Sequence, residues 1–190
     1  MSVRGVAFVV SGILLALLEG VLYRFWAPFS SFPIFGRPLA SLLHGATPNL
    51  VLPLVLYLGI VETSMARGAF LSFGLGWVLD ILGGGPAFLF RFAMVAVWGL
   101  ARSLSTRVSA FSLVSRVMLA FLGSLLESSI VLMLLAIFGP DSQRPVDLGD
   151  QVIPHALSTA LFSPLIFSLA HRMQLETRSS AEAGASGAGG

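Results

Sequence analysis

The sequence predicts an all-α integral membrane protein with about six transmembrane helices in one bundle. Three observations carry that prediction. Of 190 residues, 56% are hydrophobic and 11% are charged, against roughly 25% charged in a soluble domain; so few charges cannot cover a water-facing surface. Mean hydropathy is +0.91. Apolar runs recur along the chain and are separated by short connections bearing Arg, Gly or Pro. Cysteine is absent, which removes disulfides, thiolate metal sites and cysteine nucleophiles. All eleven basic residues are Arg. All but Arg91 stand at or near helix ends, as the positive-inside rule expects, and they form no nucleic-acid patch.

The elements follow in order, with boundaries good to ~2–4 residues. Helices are expected over 5–23, 48–61, 68–82, 86–102, 114–138 and 152–170. The first has Arg4 ahead of a long apolar run that Glu19 interrupts. No small-x-small cleavage site follows before Phe25-Trp26, so it reads as an uncleaved anchor. The stretch 24–46, rich in Phe and Pro, reads as a long outer connection held at the interface by its aromatics. The second and third helices are short. Pro48 suits a first turn, and Pro53 is expected to kink the second helix by freeing a carbonyl. Short, broken segments need protein around them, so both helices are expected inside the bundle. The fourth helix starts at the Gly83-Gly84-Gly85-Pro86 break. Residues 1–175 form the bundle, and 176–190, low in complexity, read as a disordered tail. With the N-terminus inside, Arg4, Arg67, Arg102, Arg107, Arg116, Arg172 and Arg178 are cytoplasmic. Arg24, Arg37 and Arg144 are outside. The orientation is therefore N-in, C-in.

Four ionisable residues fall within apolar spans: Glu19, Asp80, Arg91 and Glu127. Each costs about 2.5–3.5 kcal/mol at a helix centre, so each should face the interior and find a partner. A rise of about 1.5 Å per residue puts Glu19, Arg91 and Glu127 roughly 20–22 Å from the cytoplasmic side, with Asp80 at a similar level. The expectation is one buried polar cluster in the outer half, with Arg91 bridging two or three carboxylates. Such a cluster fixes helix register; a proton or cation relay is the functional alternative. His44, His155 and His171 lack zinc spacing. Ser158 and Ser163 share a helix with His155, which is poor geometry for a nucleophile and its base. No Gly-x-Ser-x-Gly elbow is present. Gly68, Gly74, Gly76 and the Gly83–Gly85 run slim the third helix for close packing.

Thr47-Pro48-Asn49-Leu50, then Val55-Leu56-Tyr57, then Gly68 to Asp80 with Gly83 and Gly85, then Glu127, and a last helix with Pro164 that ends in His171-Arg172-Met173, form an ordered series. It resembles the rod shape-determining MreD family over roughly residues 5–175. The resemblance implies a fold similar to the six-helix substrate-binding subunits of energy-coupling-factor transporters. It implies no enzyme activity and no cofactor. The implied setting is a scaffold of peptidoglycan elongation in the bacterial inner membrane. Its implied partners are MreC, a class B penicillin-binding transpeptidase with RodA, MreB, and the lipid bilayer. Many relatives carry Asp where Asn49 stands, which argues against a charge-dependent role there. The residues singled out as motif or partner-face candidates are Pro48, Asn49, Gly76 and Gly83. The alternative function is a vitamin-binding transporter subunit, which predicts a polar pocket open to the outside.

Overall fold

The computed structural model describes residues 3–30, 46–62, 64–83, 88–105, 112–138 and 145–187. These form six helices and no strand: α1 (Val3–Ser30), α2 (Val51–Val61), α3 (Met65–Gly83), α4 (Leu89–Leu104), α5 (Leu113–Phe138) and α6 (Pro145–Gly187). Most of the 24–46 connection, the Gly84–Pro86 break and residues 139–144 lie outside the described residues.

Four of the helices hold spans long and apolar enough to cross a membrane: Gly5–Phe25, Met65–Gly83, Leu113–Phe138 and Gln151–Glu176. The same helices carry apolar side chains on their outer faces, among them Leu14, Phe70, Leu122 and Leu161. That is the pattern of a chain whose solvent is hydrocarbon, and it fits a helical, multi-pass membrane protein. The two remaining helices are shorter. At 11 residues, α2 spans only about 16 Å at 1.5 Å per residue.

Yet α2 is the centre of the fold. It touches all five other described helices, and nine consecutive residues, Val51 to Gly59, are buried. A helix apolar on every side belongs in a core, as the sequence led us to expect for this segment. The third helix departs from that expectation. Leu71, Leu75 and Leu79 face inward, but Phe70, Phe73, Trp77 and Ile81 are exposed. At 19 residues it is longer than the apolar core of its sequence suggested, and one face is free for lipid.

Pro53 also behaves differently from expectation. The helix begins at Val51, so Pro53 falls in the first turn. There its missing N–H would have had no helical acceptor, and no interior carbonyl is freed. Pro48 precedes the helix. Within α6, Pro154 and Pro164 lie inside the helix. Pro164 cannot bond the carbonyl of Ala160, and the hydroxyl of Ser163 donates to that carbonyl instead, at 2.7 Å. The helical backbone of α6 runs to Gly187, into the segment whose composition suggests disorder; Ala and Glu there are good helix formers.

The helices alternate in direction. One end of the bundle, the upper end, holds the last third of α1, the start of α2, the end of α3 with the start of α4, the end of α5 and the start of α6. At the lower end Tyr57 packs on Phe8 and Phe167, with ring centroids 6.3 and 5.9 Å away. Its hydroxyl donates to Gln174. The α3–α4 hairpin is very close: a Cβ built on Gly76 would lie 2.6 Å from the Arg91 Cα, and one on Gly68 would lie 2.6 Å from the Trp98 ring. Small residues at these points let the backbones meet.

Candidate functional site: two polar centres at the upper end

The first four N–H groups of a helix have no acceptor within it. In α2 and the residues leading into it, side chains from three elements fill that need. The Asn49 Oδ1 accepts from the N–H of Val51 (3.1 Å) and of Leu52 (2.9 Å). Leu50 N–H donates to Glu19 Oε2 of α1 at 3.1 Å. Asn49 N–H donates to Thr159 Oγ1 of α6 at 3.0 Å. The Asn49 amide nitrogen then donates to Glu127 Oε1 of α5 at 2.7 Å. Asn49 is thus both cap and hub, tying α2 to α5 and α6 while Glu19 ties it to α1.

His155 of α6 completes this centre. Its Nδ1 lies 2.6 Å from the Thr47 carbonyl. A carbonyl only accepts, so Nδ1 carries the proton and Nε2 is left as the acceptor in the neutral ring. Two adjoining cavities flank the centre, of about 240 and 360 Å³. Both are lined by Glu19, Thr47, Asn49 and Phe90, so they are lobes of one basin. Glu127, Gln151 and His155 line the smaller lobe. Tyr23, Leu79 and Gly83 line the larger.

The second polar centre is separate. Asp80 of α3 reaches across the hairpin to the start of α4. Its Oδ2 accepts from Phe88 N–H at 3.1 Å, and its Oδ1 accepts from Phe90 N–H at 2.8 Å. Asp80 thereby caps a helix other than its own. Phe88 has φ of 76°, a left-handed conformation that is costly for a bulky residue, and the bond to Asp80 helps to hold it there. Arg91 lies with its Nε 2.8 Å from Asp80 Oδ2. Its guanidinium lies within 6 Å of three rings, those of Phe73, Trp77 and Phe88, the last at 4.4 Å. These rings shield the ion pair from the hydrocarbon side and add cation–π attraction.

The expected single cluster therefore divides in two. Arg91 pairs with Asp80 and does not bridge to Glu19 or Glu127. The reason is helical phase. The rise per residue sets only a position along each axis. The direction in which a side chain leaves its helix depends on how the helices pack. Asp80 turns toward the α4 start, whereas Glu19 and Glu127 turn toward the α2 start. Of the motif candidates, Pro48 and Asn49 are buried at the α2 entrance. Gly76 sits at the α3–α4 contact, and Gly83 is exposed at the rim of the larger lobe. The hydroxyls of Ser158 and Ser163 donate to backbone carbonyls of their own helix.

Thr47, Gln151, His155 and Thr159 are site residues that the sequence did not single out in this role. Thr159 is a polar residue on an apolar stripe of α6, between Ala156 and Ala160, and that is the one signal that could have pointed to it. Comparisons with family models, curated proteins and solved structures return no match to this chain.

Proposed function

We propose that this protein is a non-catalytic membrane scaffold of the peptidoglycan elongation machinery, helping to maintain rod shape. In this reading it lies in the bacterial inner membrane with both termini in the cytoplasm. It works beside MreC, MreB and the transpeptidase–RodA pair. The reading starts from the resemblance to the MreD family. One observation about the same residues supports it: Asn49, Tyr57, Gly68, Gly76, Asp80 and Glu127 all hold helices to one another. Their roles are those of a rigid frame, which is what a scaffold requires of its most distinctive residues.

The test is depletion of the protein in its own host, with cell width and co-purifying membrane proteins recorded together. Rounded cells, with MreC and the transpeptidase–RodA pair recovered alongside the protein, are the expected result. Normal cell shape would overturn it. The two-lobed basin favours a second reading, a vitamin-binding subunit of an energy-coupling-factor transporter. That reading expects recovery of a coupling subunit with ATPases, and loss of vitamin uptake on depletion.

A further inference from the structure

The upper-end basin has a chemical character of its own. Two carboxyl groups, Glu19 and Glu127, line it, and no Arg is among its described lining residues. Arg91, which the sequence offered as their bridge, is engaged with Asp80. Glu127 is 2% exposed. Its Oε1 accepts from Asn49, but its Oε2 is buried without a hydrogen-bond partner. A buried, unpaired carboxyl oxygen costs about 1–3 kcal/mol or more, and native structures rarely leave one so. The remaining wall is mixed. Thr47, Ser128 and Gln151 are polar, while Phe90, Leu132 and Leu135 are apolar.

In the ionised carboxylate this oxygen calls for a donor. A hard metal ion is a poor match, since calcium takes six to eight oxygens. Among the described residues no group of three His, Cys, Asp or Glu side chains could hold a metal. A quaternary ammonium brings charge but no N–H. A primary ammonium brings one positive charge and three N–H donors, which match an unpartnered carboxylate oxygen and a second carboxyl group lining the same cavity. The apolar wall would take a hydrocarbon body. We propose that this basin binds a primary ammonium carried on an apolar body, with Glu127 as the principal acceptor. An aminophospholipid headgroup and a free amphiphilic amine share this chemistry. The proposal does not depend on the scaffold reading.

The test uses the full chain in phosphatidylcholine nanodiscs and reads its thermal unfolding midpoint. In one arm phosphatidylethanolamine replaces part of the lipid. In the other, hexylamine is titrated into phosphatidylcholine discs, with hexyltrimethylammonium as the control that lacks N–H. At least one primary amine should raise the midpoint, by about 3 °C or more, and the quaternary control should not. A rise with phosphatidylethanolamine alone identifies the lipid; a rise with hexylamine identifies a free amine. Glu127→Gln keeps an oxygen for Asn49 and removes the orphan acceptor. It should weaken amine binding roughly 10-fold or more. Should that variant fold poorly, Glu19→Gln, which keeps an acceptor for Leu50, should also reduce the shift. No rise with either amine, an equal rise with the quaternary control, or an undiminished rise in both variants would overturn the proposal.

Discussion

Asp80 shows how one side chain in an apolar helix can be worth its cost. It satisfies two N–H groups at the start of α4, holds the left-handed Phe88, and neutralises Arg91. Asp80→Ala removes all three at once. Breaking a buried ion pair costs about 3–5 kcal/mol, so the variant should be recovered folded in much lower yield than wild type. Asp80→Asn keeps a single acceptor oxygen and should be intermediate. Size-exclusion profiles of the two variants in detergent would check this, and wild-type behaviour of Asp80→Ala would refute the capping role. Asn49 teaches a related lesson. Its Oδ1 caps α2 and its Nδ2 donates to Glu127. An Asp could repeat the first task but could repeat the second only when a proton is shared with Glu127. The amide at this position thus belongs with the carboxyl group facing it. The sequence marked Asn49 as part of a motif, but the partner that explains the amide is 78 residues away.

At the scale of elements, the α3–α4 hairpin depends on contact between backbones. A Cβ on Gly76 would meet the Arg91 Cα and the Phe90 carbonyl oxygen, both at 2.6 Å, whereas one on Gly74 meets nothing within 4 Å. Gly76→Ala must push the two helices apart. Overpacking of this kind costs about 1–3 kcal/mol, and the unfolding midpoint should fall. Gly74→Ala should leave it unchanged or raise it slightly, because Ala is the better helix former. A matched pair of melts in the same detergent decides the point; equal behaviour of the two variants would mean that the hairpin is not packed as described. The glycine spacing in the sequence signalled a slim helix face, but both glycines look alike there. Which one meets a neighbour is set by the rotation of α3 about its axis.

For the molecule as a whole, orientation is the property that Arg distribution predicts. Seven Arg in the connections assigned to the inside and three outside predict that both termini lie in the cytoplasm. Because the chain has no Cys, single cysteines at Ser2 and Ser186 can be introduced into a clean background. Neither should react with a membrane-impermeant maleimide in intact cells, and both should react after permeabilisation. Labelling of either in intact cells would reverse the orientation.

The sequence by itself determined that the chain is helical and apolar, that six helices follow one another, with the inner four bounded closely and the first and last running well past their apolar cores, and that a few ionisable residues sit within them. These follow from composition and from the one-dimensional period of the chain, which need no knowledge of neighbours. It also marked α2, too short to span alone, as a buried element, though the same argument failed for α3. Only the tertiary structure decided that Asp80 and Arg91 form one centre while Glu19, Asn49 and Glu127 form another, and that a two-lobed basin lies beside the second. Those outcomes depend on the azimuth at which each helix meets the others. That angle is set jointly by side-chain volumes on all six helices and by close approaches such as Gly76 to Arg91, and no single stretch of sequence contains it.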